Sequence, residues 1–302
     1  MKRKLFGIVW LVLLVATAWL FHGKFTDSRT YMIYGLEILF CGLALHAFLP
    51  RRTYNIAATQ KKTGVKGKGK RIFFGLFIAL VAVPLTIFCG IYFLGDKHPY
   101  LVSVLILSET ILPFFVLFER KKAMARQLIV ISVLCGLAVL GRTAFSWLPQ
   151  FKPTLAIVIL AGVAFGGEIG FFVGAMSAFV SNFFLGQGPW TPWQMFAMGV
   201  VGFLAGLLFQ RGILPKKRWI LCLIGGAFTL LLHGGILNFS SVLMMQLPLT
   251  MESVRTTFVM GLPYDLIHAA ATVFFLWFAA EPMLEKLFHV QMKYGMLDAN
   301  SI

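Results

Sequence analysis

Apolar residues fall along this chain in blocks of about twenty, separated by short stretches rich in lysine, arginine, glycine and proline. A helix needs about 20 predominantly apolar residues to cross the hydrocarbon core of a bilayer, so each block predicts a membrane-spanning helix. Ten such blocks are marked, at roughly 5–21, 31–49, 72–94, 99–118, 127–148, 154–167, 169–185, 191–209, 219–243 and 256–280. The first follows Met1-Lys2-Arg3-Lys4 and runs into His22 and Gly23 without a small-residue cleavage site. It is therefore expected to be a retained helix rather than a signal peptide.

The sixth and seventh blocks share only the residues from Pro153 to Leu185, too many for one straight span and few for two. Loop charge arbitrates, because lysine and arginine in short loops favour the cytoplasmic side. With ten spans and an inner N-terminus, the inner segments hold 21 lysines and arginines and the outer loops 5, with Arg142 inside a span. One span in place of two would move Lys216, Lys217 and Arg218 outside. Two short helices are therefore expected, with Gly166-Gly167-Glu168 as the turn and both termini cytoplasmic.

Composition agrees. Of 302 residues 59% are hydrophobic and 13% charged, and the mean hydropathy is +0.85. A soluble domain carries about 25% charged residues, so a soluble globular enzyme is excluded. The net charge of +16 would suggest nucleic acid in a soluble protein. Here the basic loop 50–71 is an orientation signal beside anionic lipid heads, and no nucleic-acid partner is expected. Within it, Gly64 to Arg71 falls one residue short of a phosphate-binding loop. Its last position lacks the Ser or Thr that holds magnesium, and no strand precedes it, so no ATP engine is expected. Cys41, Cys89, Cys135 and Cys222 lie in apolar stretches without metal-ligand spacing and read as small hydrophobes. No cofactor is expected.

The fold expectation is an all-α polytopic membrane protein. Residues 1–121 form four spans of ordinary Leu/Phe/Ile-rich composition. Residues 122–302 form six spans with many glycines and polar residues at membrane depth, and Glu119-Arg120-Lys121-Lys122 marks the boundary.

Ionisable groups inside spans are costly and are functional candidates by default. The topology puts Arg142, Asn182, Asn238, Asp265 and His268 towards the outer side, with the loop Gly186 to Gln194. The predicted site is an outward-facing pocket lined by Arg142, Asn182, Gln187, Trp190, Gln194, Asn238, Asp265 and His268. Phe145, Trp193 and Tyr264 would supply flat apolar walls. Arg142 suits an anionic or amide-bearing part of a ligand, and Asp265 would hold it when the pocket is empty. Each residue has a plainer reading. Trp190 and Trp193 sit where an aromatic belt belongs, and Arg142 has the length to snorkel to the interface. Asp265 and His268, three apart on one helix, can satisfy each other, while Asn182 and Asn238 can join helices.

Small residues four apart recur at Ser132/Gly136, Gly170/Gly174 and Gly202/Gly206, faces that permit close helix approach within the chain or with a partner. Catalytic signatures are missing: no His-Glu-x-x-His, no Gly-x-Ser-x-Gly and no paired-acid motif lies on any span. The chain is therefore not expected to be an enzyme.

Several stretches carry a resemblance. Arg142-Thr143-Ala144-Phe145, Leu148 to Pro153, Gly162 to Gly167, Gly174-Ala175, Ser181-Asn182 and the run Gly186 to Gln194 resemble the substrate-binding S-component of energy-coupling factor (ECF) vitamin importers. Gly261 to Ala269 and Lys293-Tyr294-Gly295 look like the same subfamily. The likeness covers about 122–302, with four spans preceding the usual six. It implies a cell-membrane protein that binds one vitamin or related micronutrient in a pocket closed by outer loops. It also implies association with a coupling transmembrane subunit and two ATPases. Ser132 and Gly136, with the cytoplasmic ends of the fifth to seventh spans, are expected to carry that contact, because small residues let a partner backbone approach. The loop Gly186 to Trp193 looks closest to proteins associated with cobalamin uptake. Two rival classes remain: an intramembrane enzyme with Asp265 and His268 as acid and base, and a membrane scaffold whose glycine faces hold a partner.

Overall fold

A computed structural model describes residues 81–94, 101, 105, 109, 124–210, 212–245 and 250–293. The spans expected at 5–21 and 31–49, most of 99–118, Cys41 and the basic loop 50–71 lie outside the described residues. All but Trp147–Pro149 of the described residues belong to one compact unit, Asn55–Ser146 with Gln150–Ile302. Every described element is helical. In chain order these are α1 (Val83–Leu94), α2 (Met124–Ala144), α3 (Thr154–Phe165), α4 (Gly167–Leu185), α5 (Trp190–Gln210) and α6 (Arg218–Ala227). A π-helical turn (Phe228–Gly234), α7 (Gly235–Met244) and α8 (Met251–Lys293) follow. Lipid offers a backbone no hydrogen-bond partners, so apolar segments close their bonds within themselves as helices.

Among the described residues four helical stretches are long and apolar enough to cross a membrane: Gly167–Leu185, Trp190–Gln210, Arg218–Val242 and Met251–Lys293. Helix α3 is different. Its sequence has no charged residue and it is buried at every position from Thr154 to Phe165. A helix that is apolar all round is either enclosed by protein or a membrane span, and burial at every position shows that α3 is enclosed by its neighbours. At 1.5 Å per residue it is only about 18 Å long, shorter than the bilayer core, which protein packing on all sides permits.

The chain breaks at Gly166, inside the turn marked by Gly166-Gly167-Glu168, with φ 106. Only glycine adopts that conformation freely, and a side chain there would also meet the Gln210 amide, 2.6 Å from the Cβ position. The turn lays α4 beside α3, and α5 closes on both through bare backbone. A Cβ on Gly170 would stand 2.7 Å from the Gly202 carbonyl carbon and 2.8 Å from the Gly162 Cα. One on Gly174 would stand 2.6 Å from the Met198 carbonyl carbon, and one on Gly206 2.5 Å from that of Gly166. Two of the three small-residue stripes are thus spent on internal packing. The third is not: Ser132 and Gly136 are exposed, and a Cβ on Gly136 would meet nothing within 4 Å. Ile129, Val133, Leu137 and Leu140 share that open face of α2.

From the region expected to form the first four spans, Val83 and Ile87 of α1 are buried in the same core as α3, α4 and α5. Thr86 donates a hydrogen bond to Glu109.

Helix α8 continues well beyond the predicted 256–280, despite Pro263 and Pro282 in its interior. Its later turns clamp the bundle: Leu284, Leu287 and Phe288 are core residues, and Gln291 Nε2 donates 2.8 Å to the Ala164 carbonyl near the end of α3. Arg218 pairs with Glu281 and lies over the Trp277 ring. Lys216, in the loop before α6, lies over the Phe288 ring with Nζ 4.7 Å from its centroid. Burial pushes this ammonium from its ordinary 10.5 down to about 8. The unfolded chain then holds the extra proton between those two values, so stability rises with pH across that window and the penalty is complete below it. Melting of the detergent-solubilised protein should therefore shift upward from pH 8 towards pH 10. Lys216→Met should flatten that rise, and an unchanged slope would show that Lys216 is not its source.

Candidate substrate-binding site

Arg142 sits in the last turn of α2, which ends at Ala144 rather than at the predicted 148. A cation at a helix C-terminus is favoured by the helix dipole. Its guanidinium reaches across to two other helices. Nη1 donates to Ser181 Oγ at 2.5 Å and to Asn182 Oδ1 at 2.6 Å on α4, with the Ala178 carbonyl at 3.5 Å. Nη2 donates to Gln194 Oε1 on α5 at 2.9 Å. Asn182, only 1% exposed, completes the lattice by donating to Thr191 Oγ1 at 3.0 Å and Gln194 Oε1 at 2.9 Å. The charge is thus held by neutral acceptors, and Arg142 has no carboxylate partner among the described residues.

The loop entering α5 is tied down by its own side chains. Gln187 Nε2 donates to the Phe179 carbonyl at 3.0 Å and Gln187 Oε1 accepts from Thr191 at 2.9 Å. Trp190 Nε1 donates to the Gly186 carbonyl at 3.3 Å, and its ring covers Gly188. Thr191 receives the Gly188 N–H at 3.2 Å. Thr191 therefore links the loop to the Arg142 lattice through Asn182.

A cavity of about 160 Å³ opens beside Arg142, lined also by Gln150, Lys152, Thr154, Gln194, Met198, His233, Leu237 and His268. Gln150 is the one non-glycine with positive φ among the described residues, at 56°, a conformation that costs energy and clusters at binding sites. The His233 and His268 rings meet edge to face at 4.8 Å between centroids. His233 is the penultimate residue of the π-helical turn. Such a turn inserts an extra residue and re-aims the side chains after it, and it recurs at functional sites. The His233 Nδ1 and His268 Nε2 atoms are buried without a hydrogen-bond partner. Around Lys152, burial first and the neighbouring Arg142 charge second push the ammonium below its ordinary range.

Of the residues nominated from sequence, Arg142, Gln194 and His268 line the cavity and Asn182 backs it. Gln187 and Trp190 hold the adjoining loop. Asn238 and Asp265 form a separate pair, Nδ2 to Oδ2 at 2.6 Å. The Asp265 carboxylate lies against Gly234 and the Asn238 amide against Gly261, each where the missing side chain leaves room. Asp265 therefore does not hold Arg142, and its carboxylate goes to Asn238 rather than to His268. The reason is that its face of α8 packs on the π-helical turn and α7, not on α2. The expected walls also differ: Tyr264 is 56% exposed, Phe145 stacks edge to face on Phe275 at 5.5 Å, and Trp193 packs on the apolar core.

Lys152, Gln150, Thr154 and His233 escaped nomination. Lys152 is one of the outer-loop charges in the sequence and stands just before Pro153, the N-cap of α3. Among the described residues no group of three or more His, Cys, Asp or Glu is placed to hold a metal ion.

Comparison with known proteins places this arrangement. A UPF0397 protein of Vibrio atlanticus (strain LGP32) is 30% identical over 129 residues, 39% of this chain and 68% of the relative. One from Aliivibrio fischeri (strain MJ11) is 28% identical over 112 residues, 33% of this chain and 61% of the relative. One from Aliivibrio salmonicida (strain LFI1238) is 32% identical over 99 residues, 31% and 52% respectively. The chain thus spans between about half and two thirds of the length of these relatives. No solved structure matches. The model of the ECF transporter substrate-specific component matches residues 126–281, more than half of the sequence and every residue that lines the cavity, and the chain belongs to that family.

Proposed function

We propose that this chain is the membrane-embedded binding subunit of an ECF importer, taking up a vitamin or related micronutrient through the Arg142 cavity. The observation that carries this is the coincidence of the family match with the cavity: residues 126–281 contain all of its lining. In this reading 122–302 is the binding unit, both termini are cytoplasmic and the cavity faces outward. Residues 1–121 have no assigned role. The subunit performs no chemistry and depends on a separate coupling transmembrane subunit and ATPases. Cobalamin is the candidate that the Gly186–Trp193 loop suggests, and a corrin would require the cavity to open well beyond about 160 Å³.

The purified full chain is expected to carry a vitamin-class molecule identifiable by mass spectrometry. Turnover of a lipid by the lone chain, lost in Asp265→Asn or His268→Gln, would instead make it an intramembrane enzyme. The coupling subunit is expected to dock on the open Ser132/Gly136 face of α2, where small side chains let a partner backbone approach. Gly136→Leu should therefore abolish complex formation and uptake while leaving ligand binding intact. A complex that survives this change puts the contact elsewhere.

A further inference from the structure

The lining of the cavity is unbalanced in charge. It contains Arg142 and Lys152 and not one carboxylate. Asp265 of α8, whose carboxylate lies against Gly234 of the π-helical turn, is committed to Asn238. Lys152 makes no hydrogen bond or ion pair among the described residues, and the hydrogen bonds of Arg142 all leave from Nη1 and Nη2, so that Nε has no acceptor among them. Two like charges facing one cavity raise each other's cost unless an anion joins them. The histidines add a second, neutral requirement. His233 and His268 are 6% and 9% exposed, yet His233 Nδ1 and His268 Nε2 have no partner. A buried polar atom left unpaired costs about 1–3 kcal/mol, which a ligand's own donor or acceptor would remove. Size closes the description, because a cavity near 150 Å³ accommodates a single six-membered ring.

We infer that the cavity selects a small carboxylate-bearing molecule with about one ring. Its carboxylate lies between Arg142 and Lys152, and its ring heteroatoms or substituents meet His233 and His268. The inference rests on the binding-subunit reading, narrows it from any micronutrient to an anionic, compact one, and sets aside the corrin candidate, which the cavity of about 160 Å³ does not hold. Gln194 and Asn182 fix the guanidinium fork before the ligand arrives, so little side-chain entropy is lost on binding. Gln150, strained at φ 56, supplies an amide at the edge of the same cavity.

The test uses the full chain in phosphatidylcholine nanodiscs and matched probes: pyridine-3-carboxylate against its amide, and benzoate against benzamide. Calorimetric titration is expected to show each carboxylate binding at least tenfold more tightly than its amide. Lys152→Met, with a melting temperature no lower than the parent's, should cut that preference about tenfold. Carboxylates that bind no more tightly than their amides overturn the inference, and so does a preference that survives Lys152→Met intact. Replacing phosphatidylcholine by phosphatidylglycerol should leave carboxylate affinity unchanged. Displacement by that lipid would assign the site to a headgroup and overturn the free-ligand claim. Co-purification of a neutral or cationic vitamin sinks this inference while the importer reading stands. A chain that carries no small molecule and assembles with no coupling subunit sinks that reading as well.

Discussion

Arg142→Ala is expected to weaken ligand binding by roughly thirtyfold or more. Removing one partner of a buried, charged hydrogen-bond arrangement costs about 2–5 kcal/mol, and about 1.4 kcal/mol is a factor of ten in affinity. The structure sharpens the expectation. The partners left behind, Ser181, Asn182 and Gln194, are neutral and already linked, with Asn182 donating to Gln194 at 2.9 Å. Ser181 also has the Ser177 carbonyl as acceptor at 2.6 Å. The bundle should therefore survive the substitution, and the loss should appear in affinity rather than in folding. Arg142→Lys keeps the charge but loses the planar fork that spans Asn182 and Gln194, so it should fall between the two. His289→Ala, an exposed imidazole on the far part of α8, serves as the control and should bind like the parent. Isothermal titration with the co-purified ligand checks all three. Parental affinity in Arg142→Ala would remove the guanidinium from the site.

The second large effect is a contrast between two glycines of similar appearance. Gly170→Ala is expected to destabilise the bundle by at least about 2 kcal/mol, because overpacking a filled interface costs about 1–3 kcal/mol even when side chains can shift. Here the new methyl meets backbone, 2.7 Å from the Gly202 carbonyl carbon and 2.8 Å from the Gly162 Cα. Helices α4, α5 and α3 would all have to separate. Gly136→Ala meets nothing within 4 Å, and alanine exceeds glycine in helix propensity by about 0.8–1.0 kcal/mol. It should be neutral or stabilising. Thermal denaturation in detergent, followed by retention of a monodisperse peak, measures both. Equal melting temperatures for the two variants would contradict the packing described for α3, α4 and α5.

Much of the frame was legible without coordinates. Hydropathy gives apolar helices because a bilayer allows few alternatives, and Gly166-Gly167-Glu168 marks the break because only glycine tolerates φ 106 freely. Arg142 and Asn182 stood out because polar groups at membrane depth are costly, Gln194 because it ends the outer loop beside them, and the three do meet. Asp265 stood out for the same reason and was paired with the wrong residue.

What the sequence determines here is therefore each residue's depth, the side of its own helix it occupies, and the cost of leaving it unpaired. Which faces meet was decided only by tertiary packing. The same small-residue spacing at positions 132/136, 170/174 and 202/206 yields one open face and two buried ones, because the α4–α5 approach is fixed by backbone contact that periodicity does not encode. The π-helical turn that carries His233 to His268 leaves no mark in the apolar pattern, since it changes the register of a helix and not its hydrophobicity. Lys152 became a cavity residue because the loop before α3 brings it near Arg142. A loop charge in sequence carries no statement of what it will face, since electrostatic partnership depends on distance across the fold and not along the chain.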